Sequence, residues 1–178
     1  AVDPENPFGK LGRAGSARRR GREEADAAVQ RKKAREALDL ALQVIALGDF
    51  LWEAHYVAGS LYAEQELPGS GLRDLAKAYY HFSQALLMEP GGPDAWLGRA
   101  HVLRLTGDKP AALADFDTAV RLRPDWVPAL QGRGELLLEA GRAKDALSDL
   151  ERALALAPGN YSLRLDRASA LLAAGRAP

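Results

Sequence analysis

The sequence predicts an all-α chain of stacked antiparallel helix pairs, and three observations support this prediction. First, sliding the chain by 34 positions places residues 93–124 on residues 127–158, with 11 of the 32 aligned positions identical. Second, apolar residues recur at helical steps of three and four, as in Ala112, Phe116 and Ala119. Third, glycine recurs at positions 107, 141 and 175, where helices are expected to end. A fixed period of this size indicates stacked supersecondary units.

Each unit is predicted to hold two helices of about 13 residues, because its signals mark two starts and two ends. Asp108 is a suitable N-cap for the second helix, and Pro110 is tolerated in its first turn. Pro124 and Pro158 are expected to end the second helix of their units.

These residues resemble the signature of the tetratricopeptide repeat (TPR) family. The matching positions are Trp96, Ala100, Leu103, Gly107, Ala112, Phe116, Ala119 and Pro124 in one unit, and Leu130, Gly134, Leu137, Gly141, Ala146, Leu150, Ala153 and Pro158 in the next. Small residues let helix backbones approach closely, while a bulky residue opposite fills the gap. The resemblance implies a right-handed superhelical solenoid of about three and a half repeats plus an N-terminal capping helix.

The domain organisation follows from the repeat. Residues 1–21 are predicted to be a flexible basic lead-in, and residues 22–178 a helical repeat domain. Within it we expect a capping helix at 22–48, repeats at 52–92, 93–126 and 127–160, and a partial repeat at 161–178. The repeat at 52–92 has seven surplus residues, which are expected in a loop at Glu66–Gly71. An apolar stripe of Ala37, Ala41, Val44 and Leu47 is expected to cover the first repeat.

The C-terminal segment Tyr161–Ala174 is predicted to be a first helix with no second helix after it. It would leave Leu165, Ala168, Leu171 and Leu172 uncovered, whereas terminal repeats normally present a polar outer face. Two hypotheses follow: the chain is a fragment of a longer protein, or this end docks on something, with self-association as one form of docking.

Composition excludes several classes of site. Net charge is zero, with 24 Lys+Arg and 24 Asp+Glu, so no global field attracts nucleic acid or a membrane. There is no cysteine, and no apolar run approaches the roughly 20 residues that a membrane span needs. We expect a cytoplasmic location, with an extracytoplasmic one left open because the chain starts at Ala1 instead of methionine.

No catalytic, cofactor or metal site is predicted, so we expect a protein that is not an enzyme. None of the three histidines, His55, His81 and His101, has a second histidine or a carboxylate at the i, i+4 spacing of a zinc site. A structural role is expected for His81. Glu135 and Glu139 lie one turn apart, and a solvated acidic helix face accounts for them better than a catalytic pair.

One recurrent polar pattern predicts an ion pair inside each unit. Arg99 and Arg133 lie on first helices, and Asp115 and Asp149 follow 16 residues later on the partner helices. The upstream unit has Ala58 and His81 at the matching positions, so arginine and aspartate are absent there together.

The family resemblance implies a groove along the first helices that binds a protein or peptide partner. The positions mapped onto this groove include Tyr56, Ser60, Asp94 and Ser169. The residues predicted to contact the partner are Leu97, His101, Arg104, Leu105, Gln131, Glu135, Leu138, Glu139, Leu165 and Asp166. Spaced leucines and an excess of acids suit a segment with apolar anchors and basic residues.

One family subtype is disfavoured. Co-chaperones of this fold grip a C-terminal carboxylate of heat-shock proteins with cationic and amide side chains. The repeats can be aligned with that subtype in two registers. The corresponding positions are Tyr56, Ser60, Gly98, Pro128 and Gly132 in one register, and Leu97, His101, Gly132, Ser162 and Asp166 in the next. Neither register places a cationic side chain where it could bind a carboxylate.

Two alternatives remain open at this point. Residues 1–35 carry ten basic and five acidic side chains and could associate with RNA or an anionic surface. No aromatic residue lies between positions 9 and 49, which disfavours nucleic acid as the partner. The other alternative is a regulatory module of a larger protein.

Overall fold

The computed structural model describes residues 27–48, 51–64 and 74–175, and these residues form eight helices. The helices are α1 (Ala27–Ala46), α2 (Trp52–Ala63), α3 (Leu75–Met88), α4 (Pro93–Thr106), α5 (Lys109–Leu122), α6 (Val127–Glu139), α7 (Ala143–Leu156) and α8 (Tyr161–Ala173). The predicted all-α class is confirmed. The lead-in at 1–21, the start of the capping helix at 22–26 and the loop at Glu66–Gly71 lie outside the described residues.

The described helices fall into two compact units, and the boundary along the chain lies between Gly91 and Gly92. In the first unit, α1 packs on α2 and α2 on α3. In the second unit, α4 pairs with α5 and α6 with α7, and α8 packs on α7. Successive helices are therefore paired as the repeat predicts.

The stripe on α1 packs against α2 as expected, except at one residue. Ala37, Ala41 and Val44 are fully buried, and the first two join a cluster with Ala58 of α2. The prediction was wrong for Leu47, which is 57% exposed. Leu47 follows the last helical residue of α1, so it no longer shares the direction of the stripe.

The helix ends predicted at the recurring glycines are confirmed by the backbone geometry. Gly107 has φ +93° at the end of α4, and Gly141 and Gly175 have φ +74° and +69°. Residues other than glycine rarely adopt this left-handed backbone conformation. It lets the chain leave one helix and turn into the next. Asp108 then caps α5, accepting a hydrogen bond from the Ala111 N–H at 3.2 Å.

The predicted ion pairs are present in both complete repeats of the second unit. Arg99 donates from Nε and Nη2 to the two carboxylate oxygens of Asp115, at 2.7 and 2.9 Å. Arg133 makes the same forked contact with Asp149, at 2.7 and 2.6 Å. Both aspartates are buried, so each arginine compensates a charge that is largely shielded from water.

In the first unit, two histidines lie between α2 and α3, where the later repeats have the arginine–aspartate pair. Nδ1 of His55 on α2 and Nδ1 of His81 on α3 are 3.0 Å apart, and both side chains are buried. One ring donates and the other accepts, which requires at least one of the two nitrogens to lack a proton. The ring of Tyr62 stacks on His81 with centroids 5.6 Å apart. The expected structural role of His81 is thereby confirmed.

This pair makes stability sensitive to acid. Burial lowers the pKa of His81 to about 4, with the charges of His55 and Lys77 adding to the effect. Burial also lowers the pKa of His55. The unfolded chain takes up these protons below about pH 6.5, whereas the folded chain resists them, so stability is lost as pH falls from 6.5 towards 4.

We therefore expect the melting temperature to fall between pH 7 and pH 4.5. Each histidine that stays neutral contributes a slope of at most about 1.4 kcal/mol per pH unit. Thermal unfolding followed by circular dichroism across this range checks the prediction.

In the double variant His55→Leu/His81→Leu the fall in melting temperature between pH 7 and pH 4.5 should be clearly smaller. His101 would supply the remainder, because burial, with Arg104 adding, lowers its pKa to about 4 as well. An unchanged pH profile in the double variant would contradict the assignment.

Candidate functional site

The first helices of the second unit lie side by side. Helix α6 contacts α4 on one side and α8 on the other. We call the surface on which these three helices carry the predicted groove residues the first-helix face. It comprises Leu97, His101, Arg104 and Leu105 from α4, Gln131, Glu135, Leu138 and Glu139 from α6, and Leu165 and Asp166 from α8.

Arg104 joins α4 to α6 across this face. Its Nη1 lies 3.1 Å from Oε2 of Glu135 and 3.2 Å from Oε1 of Glu139. The second oxygen of Glu139 takes an ion pair from Nζ of Lys109 at 3.1 Å. The two glutamates that sequence alone presents as a solvated acidic pair therefore share one guanidinium.

Gln131 continues the polar contacts from α6 to α8. Its Nε2 donates to Oδ2 of Asp166 at 2.8 Å and to Oγ of Ser162 at 3.0 Å. The amide thus occupies part of the acceptor capacity of Asp166 without neutralising its charge.

The face has an excess of negative charge. Glu135, Glu139 and Asp166 supply three carboxylates against the guanidinium of Arg104 and the ammonium of Lys109, so the cluster keeps one net negative charge. Burial raises the pKa of Glu135, and the neighbouring Asp166 and Glu139 charges act in the same direction against Arg104. Burial would raise the pKa of Glu139 too, but Lys109 and Arg104 outweigh it and the net direction is downwards. His101 is neutral near pH 7 because burial depresses its pKa to about 4.

The apolar residues of the face divide into two groups. Leu97 and Leu138 are half-buried and pack against the core, and His101 meets the Phe116 ring edge-on at 5.2 Å. Leu105 and Leu165 are 43% and 51% exposed. Leu105 on α4 and Leu165 on α8 are therefore the apolar part of the predicted lining that a partner could cover.

Sequence reasoning placed these residues on one surface but missed their contacts. Arg104 and Glu139 are separated by 35 residues, one more than the repeat period, and Gln131 and Asp166 by the same distance. A search for complementary side chains separated by one period plus one residue would have found both pairs, because that separation links neighbouring first helices.

Other kinds of site find no support in the part of the chain that the structure describes. Residues 27–48, 51–64 and 74–175 contain no group of three or more potential metal-ligating side chains. Among the same residues, no helix combines the length and apolarity that crossing a bilayer demands.

Comparisons with known proteins agree with the geometry. Two models described as tetratricopeptide repeat match residues 69–125 and 137–178, together more than half of the chain. No curated protein matches the chain.

Solved structures with the same fold include three informative ones. A thermophilic TPR protein from Thermus thermophilus is 25% identical with a TM-score of 0.69, over 96% of this chain and 84% of that one. MamA is 14% identical with a TM-score of 0.75, over 97% of this chain and 85% of its own. The first TPR of Spaghetti (RPAP3), solved with the HSP90 peptide SRMEEVD, is 22% identical with a TM-score of 0.55, over 57% of this chain and 80% of its own.

Tetratricopeptide repeat domains are in general protein-interaction modules, and proteins built from them are typically non-enzymatic scaffolds. The 34-residue period, the sequential helix pairs and the two matching models lead to one assignment. The chain belongs to the tetratricopeptide repeat family.

Proposed function

We propose that this protein is an interaction scaffold or adaptor that holds a polypeptide segment of a partner on the first-helix face. The observation that carries this proposal is the exposure of Leu105 and Leu165 on first helices that Arg104, Gln131 and their carboxylate partners tie together. Exposed leucines lose water on binding, and the polar contacts hold the helices that present them.

The charge of the face favours a basic partner segment. The RPAP3 domain was solved with a peptide that contains three acidic residues and one arginine. Here three carboxylates stand against the guanidinium of Arg104 and the ammonium of Lys109, so one negative charge is in excess. That excess disfavours a similar acidic peptide and favours lysine or arginine between apolar anchors. We therefore propose a segment with two apolar anchors and at least one basic residue between them.

Peptide selection tests the proposal without knowledge of the natural partner. A displayed library of random 16-residue peptides is selected on the full chain, and affinities of the selected peptides are measured by fluorescence anisotropy. We expect the selected set to be enriched in large apolar residues and in lysine and arginine. The double variant Leu105→Asp/Leu165→Asp should bind these peptides at least about tenfold more weakly, because both anchors are replaced by charges.

A matched control separates binding from folding. Leu156 is 46% exposed and lies on the second helix α7, not on a first helix, so Leu156→Asp should leave affinity unchanged. Since all three leucines are exposed, the melting temperatures of both variants should stay within a few degrees of the parent. Equal peptide affinity in the double variant and the control would reject the proposed face.

The RNA or anionic-surface alternative has weaker support. Residues 1–26 of the basic stretch lie outside the described residues. On α1, Arg31, Lys32 and Arg35 border the same surface hollow as Glu36 and Asp39, which dilutes the positive charge there. The cytoplasmic location and the role as a regulatory module of a larger protein stay predictions.

A further inference from the structure

Arg104 contacts its carboxylate partners less completely than Arg133 contacts Asp149. A single nitrogen of Arg104, Nη1, lies 3.1 Å from Oε2 of Glu135 and 3.2 Å from Oε1 of Glu139. Arg133 instead gives two nitrogens to the two oxygens of Asp149, at 2.7 and 2.6 Å. Two parallel charge-assisted hydrogen bonds on one carboxylate make the stronger pairing. Each contact of Arg104 is therefore easier to replace than the forked pair inside the repeat.

The guanidinium of Arg104 also holds an unsatisfied donor. Its Nε is buried, and in the part of the chain that the structure describes it has no hydrogen-bond partner. A buried donor without an acceptor costs free energy, so a complete set of hydrogen bonds does not hold this side chain in its position. Attraction to the two glutamates holds it there, and a second cation can compete for that attraction.

The two glutamates differ in what they would lose if Arg104 moved. Glu139 has a second cation, because Nζ of Lys109 lies 3.1 Å from its Oε2. Within residues 74–175, Arg104 is the one ion-pair partner of Glu135. Burial raises the pKa of Glu135 in spite of the opposing charge of Arg104, so its ionised form is incompletely compensated. Glu135 is therefore the acid of this face that a further cation would stabilise most.

We propose that a lysine or arginine of the partner segment displaces Arg104 from Glu135, and that Arg104 is an internal competitor which limits how tightly basic segments bind. This inference rests on the proposed binding at the first-helix face. When Arg104 is displaced it keeps Glu139, so α4 and α6 stay joined by an ion pair. Glu135 lies on α6, which contacts both α4 with Leu105 and α8 with Leu165. A basic residue between the two apolar anchors of the segment would therefore meet the acid on the middle helix.

Arg104→Met tests the competition, because methionine keeps an unbranched apolar side chain and removes the guanidinium. The probes are the tightest-binding lysine-containing peptide from the displayed library and a derivative in which norleucine replaces each lysine. We expect Arg104→Met to raise affinity for the lysine peptide about fivefold, in fluorescence anisotropy at about 0.15 M salt. Affinity for the norleucine peptide should stay within about twofold of the parent value, because this peptide brings no charge to Glu135.

Glu135→Gln gives the reciprocal test, since glutamine has nearly the same shape and no charge. The lysine peptide should then lose its advantage over the norleucine peptide, in the parent background and in the Arg104→Met background alike. The matched control is Lys109→Met, which removes one positive charge from the same cluster without freeing Glu135. It should raise affinity for the lysine peptide by at most about twofold, because Glu139 keeps Arg104 and the remaining effect is screened by salt.

Three results would overturn this proposal. The first is an Arg104→Met chain that binds the lysine peptide no more tightly than the parent chain does. The second is a gain that Lys109→Met reproduces in full or that persists with Glu135→Gln, since net charge alone would then account for it. The third is a selected set without lysine or arginine. Failure of the first-helix face looks different, because Leu105→Asp/Leu165→Asp would then bind the selected peptides as tightly as the parent chain does.

Discussion

Arg133→Ala should lower the free energy of unfolding by about 3 kcal/mol or more, because it strands the buried carboxylate of Asp149. The guanidinium makes a forked contact with Asp149 and a third hydrogen bond to Asp117, so one substitution removes three hydrogen bonds. Urea unfolding monitored by circular dichroism gives the measurement.

A double-mutant cycle identifies the cause of this loss. Asp149→Ala added to Arg133→Ala should cost little more, because the stranded charge disappears with the aspartate. Arg142 offers a matched control, since it pairs with Asp145 at 2.6 Å while both side chains are about half exposed. Arg142→Ala should cost less than about 1 kcal/mol, as solvated pairs do. Additive losses at positions 133 and 149 would reject the coupled, buried pair.

Phe116→Ala should cost about 4 kcal/mol, because the fully buried ring would leave a cavity in the centre of the second unit. The ring packs with Ala100, Leu103, Ala112 and Leu136, so it contacts three helices of that unit. Chemical denaturation of the purified variant measures the effect. A loss below about 1 kcal/mol would contradict this assignment of Phe116 to the core.

Gly132 provides a sharper test of the same packing. The effect of Gly132→Ala on the free energy of unfolding should change sign when the Phe116 ring is removed. A Cβ on Gly132 would stand 2.5 Å from Cε1 of Phe116, so Gly132→Ala should destabilise the parent chain by about 1–2 kcal/mol. In the Phe116→Ala background the two closest atoms are gone and only His101 Cε1, at 3.2 Å, stays near the added Cβ. The same substitution should then stabilise by up to about 1 kcal/mol through helix propensity. Gly159→Ala, where nothing lies within 4 Å, serves as the control without a close contact. The same sign in both backgrounds would show that Phe116 does not limit the space at Gly132.

The succession of helices and their ends could be predicted because the residues that set them act within one repeat. Glycine at position 107 ends a helix through a backbone conformation that other residues rarely adopt, and Asp108 starts the next one by accepting an N–H three residues ahead. The Arg133–Asp149 pair was also within reach, since a fixed separation recurring in two units, and missing as a pair in the third, indicates a contact. Periodicity likewise placed the candidate groove residues on first helices.

Contacts between repeats were decided by the tertiary structure. Whether Glu135 is a free acid or a partner of Arg104 depends on how closely α4 and α6 approach, and Gly132 against Phe116 contributes to that closeness. The same approach half-buries Leu97 and leaves Leu105 exposed, although both are leucines on one helix. The repeat, the helix ends and the ion pairs of the two complete repeats could be predicted from the amino-acid sequence, because they depend on neighbours at fixed separation. Only the packing of one repeat on the next decided which side chains meet and which stay open to a partner.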